Sequence, residues 1–202
     1  MQDSRMQSMF HRCIDEHVAV FQRLEQGNDL LSKIMEMAKL TEDTMQRQGA
    51  IYLCGNGGSA ADAQHIATEF VSRFYMERKA MNAQALTVNT SSLTAIGNDY
   101  SFDRVFVRQL EACGREGDTL IGITTSGTSE NVLAAMDYAV RTGMHTILLT
   151  GNRALNNRHI AYDCVIQIPS DDTPRIQEAH IFIGHLLAEY IESRMVERDK
   201  GQ

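Results

Sequence analysis

Apolar residues recur at three- and four-residue steps through the first forty positions. Met6, Met9, Phe10, Cys13, Ile14, Val18, Phe21 and Leu24 form one set; Leu30, Leu31, Ile34, Met37, Ala38 and Leu40 form a second. That period puts each set on one side of a helix, so the spacing predicts two helices within residues 1–48, divided near Gly27. Both precede the first strand, so neither is a crossover of a sheet. Packing on the core is their ordinary role; association between subunits is the sharper one, and their methionine-rich faces suit either.

From residue 49 the pattern alternates. Short apolar runs at 50–54, 84–88, 119–124, 145–149 and 164–168 read as strands. Helical periodicity returns at 59–74, 91–112 (with a break expected near Gly97), 129–142 and 173–198. Such alternation predicts a parallel sheet with helices on both faces. The expected class is therefore α/β: a three-layer, doubly wound, five-stranded parallel sheet carrying two additional N-terminal helices. The expected organisation is an oligomerisation segment at 1–48 and the sheet unit at 49–202, together one structural domain. Ligands of such sheets sit beyond the carboxyl ends of the strands.

Composition narrows the function classes. A net charge of −7 over 202 residues opposes broad binding to nucleic acid or an anionic membrane. It does not oppose holding one phosphate, because backbone N–H groups and helix ends supply a local field. No apolar run approaches a membrane span, and Met1 to Arg5 lacks a signal peptide's hydrophobic region. A cytoplasmic protein with no nucleic-acid or membrane partner is expected. Cys13, Cys54, Cys113 and Cys164 form no CxxC pair and read as reduced thiols.

Two turns carry the candidate chemistry. Cys54-Gly55-Asn56-Gly57-Gly58-Ser59 joins a predicted strand to a predicted helix, the arrangement in which glycines admit an anion to unpartnered helix N–H groups. Gly57 and Gly58 clear the approach, and Ser59 is expected to cap the helix and offer its hydroxyl. The second turn, Thr124-Thr125-Ser126-Gly127-Thr128-Ser129, has five hydroxyls in six residues. Ser129 before Glu130 suits a helix N-cap, which accounts for one hydroxyl but not the other four. Neither turn is a Walker or dinucleotide-binding motif. Together they point to a phosphorylated small molecule.

His65 and Glu69 lie four apart and share a face of the helix leaving the first turn. Imidazole plus carboxylate suits zinc or acid–base chemistry, although a polar helix surface would look the same. The last helix holds two more histidines. His185 sits among apolar residues that read as buried, His180 nearer the polar end, and the residues alone do not choose between them.

Taken together these fragments resemble the sugar isomerase (SIS) domain, and more closely the bacterial phosphoheptose isomerases. The matching text is Gly55 to His65, Glu69, Thr94 to Asp99, Gly114 to Asp118, Thr124 to Ser129 and Arg175 to His180, and the resemblance covers nearly the whole chain. It implies a flavodoxin-like sheet and a cytoplasmic homotetramer with active sites at subunit interfaces. It also implies conversion of sedoheptulose 7-phosphate, a phosphorylated seven-carbon sugar, to D-glycero-D-manno-heptose 7-phosphate through an enediol. Carried across residue by residue, substrate contacts fall on Asn56, Gly57, Gly58, Asn98, Asp99, Thr124, Thr125, Ser126, Ser129 and Gln177. Ligands for one Zn2+ per subunit fall on His65, Glu69, Gln177 and His185, and the catalytic pair on Glu69, which also touches substrate, and His185.

Gln177 and His185 are eight residues apart, about 12 Å of rise and roughly 80° of rotation on one straight helix. A single ion meeting both therefore suggests ligands drawn from two subunits. Two departures from the resemblance are visible: the family often has serine at Thr124, and Asn152 to Asp163 lacks the relatives' glycine-rich loop. A non-catalytic relative that binds the replication initiator, an isomerase of another phosphosugar and a sugar-phosphate sensor are the alternatives. The presence of both Glu69 and His185 favours the enzyme over the first.

Overall fold

The five expected strands form one parallel sheet in the order β2-β1-β3-β4-β5: β1 Ile51–Gly55, β2 Ala83–Ala85, β3 Thr119–Thr124, β4 His145–Thr150 and β5 Cys164–Gln167. This is the flavodoxin-like order, with the chain reversing direction across the sheet between β1 and β3. The computed structural model describes residues 2–27, 29–153 and 160–200. The helices are α1 Gln2–Gln26, α2 Leu30–Gln46, α3 Gly58–Val71, α4 Thr90–Asp99, α5 Val107–Cys113, α6 Glu130–Arg141 and α7 Thr173–Lys200. Of the segment 152–163 flagged above, residues 154–159 lie outside the described residues.

The central strands are apolar on both faces because both faces are covered. Leu53, Ile121 and Ile147 stand in register across β1, β3 and β4. With their same-face neighbours they pack under α2, α3 and α7. Tyr52, Leu120 and Leu148 point the other way and pack under α5 and α6. This is the two-residue period of a strand made visible as two cores. Gly122 in β3 faces the second core, where a Cβ would stand 2.8 Å from the Met136 sulfur.

The N-terminal helices differ in role. Met37, Ala38 and Met45 of α2 are buried in the first core, so α2 is part of the fold. By contrast, α1 buries only Val20 and Leu24, near its end, and exposes Met6, Phe10, Ile14 and Val18.

The break expected near Gly97 is present, a few residues further on. Helix α4 runs through Gly97 to Asp99, the chain turns extended at Ser101, and a single 3-10 turn at Phe102–Arg104 leads into α5. Burial decides this: Val105 and Phe106 are drawn fully into the second core, whereas α4 has no buried residue. The helix expected to reach residue 74 stops at Val71.

Helices α3 and α7 run side by side and parallel. Gln177 lies at Gly58, Gly184 at Ile66, His185 at His65, and Glu192 at Phe74, each contact joining residues 118 to 120 apart. Gly184 permits this approach, since a Cβ there would meet Ile66 Cδ1 and Cγ1 at 2.5 Å, and Ile66 is only 1% exposed. Replacing a mid-helix glycine by alanine ordinarily gains about 1 kcal/mol of helix propensity. Here overpacking, costing roughly 1–3 kcal/mol, outweighs that gain. Gly184→Ala should therefore lower the thermal midpoint by roughly 2–4 °C, measured by calorimetry, and a higher midpoint would refute the tight seam.

Candidate active site

The first turn closes through glycine geometry. Gly57 is the N-cap residue of α3 with φ of 56°, a conformation that side chains rarely adopt. A Cβ on Gly55 would stand 2.6 Å from the Ser59 carbonyl oxygen. Gly57 and Gly58 are exposed, and no side chain caps α3, so the turn presents the helix's first amides to solvent. Ser59 does not cap as expected. It is the second helical residue and 3% exposed, because Gly57 has taken the cap position.

In the second turn the hydroxyls bond one another. Thr124 Oγ1 pairs with Ser129 Oγ at 2.9 Å and lies 3.4 Å from Ser126 Oγ. The Thr128 amide and hydroxyl both donate to Ser126 Oγ, at 3.2 and 2.9 Å. Ser129 occupies the N-cap position of α6 but makes no side-chain cap bond, its hydroxyl being turned to Thr124. Thr125 is half-buried, and its carbonyl accepts from the Gly151 amide at the end of β4.

A pair of amides joins the two turns. Asn56 Nδ2 donates to Asn131 Oδ1 and Asn131 Nδ2 donates to Asn56 Oδ1, both at 2.8 Å. Sequence reasoning passed over Asn131. The available signal was an asparagine in the first turn of a helix, which prefers other residues there once the cap is filled.

Further along α3, three ligand atoms converge. His65 Nε2 is 2.8 Å from His185 Nε2 and 3.5 Å from Glu69 Oε1, and all three lie within 4.8 Å of one another. Tetrahedral zinc at 2.0–2.1 Å spaces its ligand atoms about 3.3 Å apart, so two imidazoles and a carboxylate in this arrangement fit such an ion. The His185 ring meets His65 edge-on, with centroids 5.0 Å apart, and packs on Phe74 at 5.7 Å. His65 is half-exposed and the Glu69 side chain 18% exposed, so the cluster is open to a small ligand.

The other predicted residues are placed as follows. Gln177, at the start of the second turn of α7, rests its amide against Gly58, where a Cβ would overlap Nε2. Because α7 runs beside α3, Gln177 lies at the turn and His185 at the cluster, and one chain brings all three titratable groups together. The 12 Å rise that suggested a second subunit is matched by the rise of α3 itself. Asn98 and Asp99 are exposed at the end of α4, Asn98 Nδ2 donating to Asp99 Oδ1 at 2.8 Å.

The two histidines of α7 reverse their expected environments. His180 is fully buried, with Nε2 3.3 Å from the Thr150 carbonyl and no partner at Nδ1, whereas His185 is half-buried at the cluster. Five residues turn a helix by about 140°, so the two cannot share a face. Asp62, one turn before His65, also escaped the sequence reading as a separate feature. Its Oδ2 is buried without a partner, and burial pushes its pKa up to about 6 against the lowering effect of His65. A mainly apolar groove of about 550 Å³ lies elsewhere, walled by Phe21, Leu30, Ile34 and Phe182.

The sequence of residues 14–151 matches a family model of the SIS domain. The chain belongs to the SIS domain family. Among curated relatives, phosphoheptose isomerase of Akkermansia muciniphila is 51% identical over 79% of this chain and 84% of its own. That of Clostridium acetobutylicum is 44% identical over 94% and 96%. The structure of phosphoheptose isomerase from Neisseria gonorrhoeae aligns with a TM-score of 0.85 at 40% identity, covering 93% of this chain and 99% of that one. One from Francisella tularensis aligns at 0.83 and 35% identity, covering 96% and 99%. The SIS fold thus accommodates the two turns and the α3–α7 seam together.

Burial of His180 sets a pH dependence. Desolvation lowers its pKa from 6.5 to about 4, slightly countered by the Thr150 carbonyl. Between those values the unfolded chain binds the proton and the folded one does not, so stability falls as pH drops from 6.5 through 4. The loss is on the order of 3 kcal/mol. Urea denaturation at both pH values should show it, and His180→Leu should flatten the slope by about that amount. An unchanged slope in the variant would exclude His180 as its source.

Proposed function

We propose that this chain is a phosphoheptose isomerase, interconverting sedoheptulose 7-phosphate and D-glycero-D-manno-heptose 7-phosphate. The observation that carries the reading is the convergence of His65 and Glu69 of α3 with His185 of α7, on the helix that the first glycine turn launches and the one packed beside it. In this reading Gly57, Gly58, Ser59 and the hydroxyls of Thr124, Thr125, Ser126 and Ser129 hold the phosphate. Asn56 keeps the two turns together, and Asn98, Asp99 and Gln177 contact the sugar.

Moving a carbonyl from C2 to C1 requires one proton to cross between the two carbons. Glu69 takes the C1 proton and returns it at C2. His185 gives a proton to O2 as the enediol forms, and takes the O1 proton as the aldehyde forms. Each group ends in its starting state. One Zn2+ per subunit would be held by His65, Glu69 and His185 and would supply Lewis acidity to the carbonyl oxygen; Gln177, the expected fourth ligand, lies at Gly58 in the same chain and would reach the ion from a neighbouring subunit. Glu69 is then shared between holding the ion and moving the proton. Its setting supports both, since its oxygen lies 3.5 Å from His65 and its side chain is partly open.

A homotetramer in the cytoplasm completes the proposal, with α1 in the subunit contacts and the sites beside them. Its support is the α1 face: Met6, Phe10, Ile14 and Val18 at four-residue steps, all substantially exposed, continuing into Phe182 of α7. No described helix is long and apolar enough to cross a membrane.

Two tests follow. Purified protein incubated with sedoheptulose 7-phosphate should form aldose, at a rate that a chelator reduces, and Glu69→Gln should lose on the order of a hundredfold or more of turnover. No aldose with or without chelator would overturn the reading, and full turnover by Glu69→Gln would remove Glu69 from the mechanism. In light scattering the protein should run as a tetramer, and the double variant Phe10→Glu, Ile14→Glu as smaller species. A wild-type monomer would refute the assembly.

A further inference from the structure

Glu192 lies on α7 two turns beyond His185, and its side chain is fully buried. Three consecutive backbone amides donate to it: Phe74 N to Oε1 at 2.8 Å, and Tyr75 N and Met76 N to Oε2 at 2.6 and 2.9 Å. The Arg78 guanidinium, 1% exposed, faces it with Nε 3.3 Å from Oε1. That contact is an ion pair and not a hydrogen bond. Burial alone pushes the Glu192 carboxyl up; the three amides and Arg78 outweigh it and leave the pKa below its ordinary value.

The far side of the guanidinium reaches the candidate site. Arg78 Nη2 donates to the Glu69 carbonyl at 2.7 Å, and Nη1 donates to the Phe70 carbonyl at 2.8 Å and the Lys79 carbonyl at 3.0 Å. The Glu69 and Phe70 carbonyls belong to the last turn of α3 and have no partner within the helix. One buried carboxylate therefore fixes both members of the pair by separate routes. Through Arg78 it holds the backbone of Glu69; through the Phe74 amide it sets the segment whose ring packs on His185. A buried ion pair is a weak source of stability, since desolvation cancels most of the attraction. What this one supplies is position.

We propose that Glu192 and Arg78 are positioning residues for the reaction, a buried clamp that sets Glu69 and His185 relative to each other. The proposal rests on the reading of Glu69 and His185 as the acid–base pair. Neither clamp residue touches the substrate.

The test is Glu192→Gln, which keeps an oxygen for the amides and removes the charge facing Arg78. It is assayed with sedoheptulose 7-phosphate beside Glu69→Gln and the wild type, with thermal midpoints measured on each. The expected result is a kcat lower by about tenfold to a hundredfold, as displacements near 1 Å cost. KM should stay within about twofold, because the phosphate turns lie at the other end of the seam. A merely structural role would lower the midpoint and leave kcat per folded site unchanged, and that result overturns the proposal. If Glu69→Gln abolishes turnover while folded Glu192→Gln matches the wild type, the clamp alone fails. If Glu69→Gln retains full turnover, the underlying site reading fails and the clamp with it. Should Glu192→Gln not fold, Arg78→Lys reads the same quantity. It keeps a cation by Glu192 but loses the fork onto the Glu69 and Phe70 carbonyls, and the same fall in kcat at constant KM is expected.

Discussion

Close parallel packing between α3 and α7 is the constraint on which the candidate site depends. A Cβ at Gly184 would overlap Ile66 and one at Gly58 would overlap Gln177, so glycine at both positions lets the helices approach. Each helix alone carries an incomplete set: His65 and Glu69 on one, Gln177 and His185 on the other. Side by side and in step, they meet at both ends. The sheet orients the pair, because α3 follows β1 and α7 follows β5, and in a parallel sheet both helices then start at the carboxyl edge.

The same edge gathers the start of α6, so three helix N-termini face one region. Each carries roughly half a unit of positive charge from its aligned peptides. This resolves the apparent conflict between an acidic chain and an anionic ligand, because the field that matters is local and made by backbone. The uncapped starts of α3 and α6 fit that use, since a side-chain cap would compete for the same amides.

Much of this was legible in the sequence, and the rest was not for identifiable reasons. The strands were readable because double-sided burial writes them as continuous apolar runs. The turns were readable because glycine and hydroxyl residues cluster where backbone must come close to a ligand. The histidines of α7 were misread because that helix is apolar on several sides, and its pattern did not reveal which face meets α3. The break near Gly97 was readable to within a few residues, although the turn is placed by the burial of Val105 and Phe106 and not by the glycine itself. Arg78 and Glu192 were invisible because their pairing spans 114 positions and has no local pattern. Asn131 was missed likewise, its partner Asn56 lying 75 residues away.

The constant offset along the α3–α7 seam makes the spacing between the glycine turn and the His65–Glu69–His185 cluster a residue count held jointly by two helices. Seven residues of α3 separate Gly58 from His65, and eight of α7 separate Gln177 from His185. One residue inserted into either interval would advance the helix by about 1.5 Å and turn it by about 100°. In α7 it would carry His185 off the shared face while leaving Gln177 in place; in α3 it would carry His65 away while leaving Gly58 in place. A change of length in one helix is therefore not tolerable without its counterpart in the other.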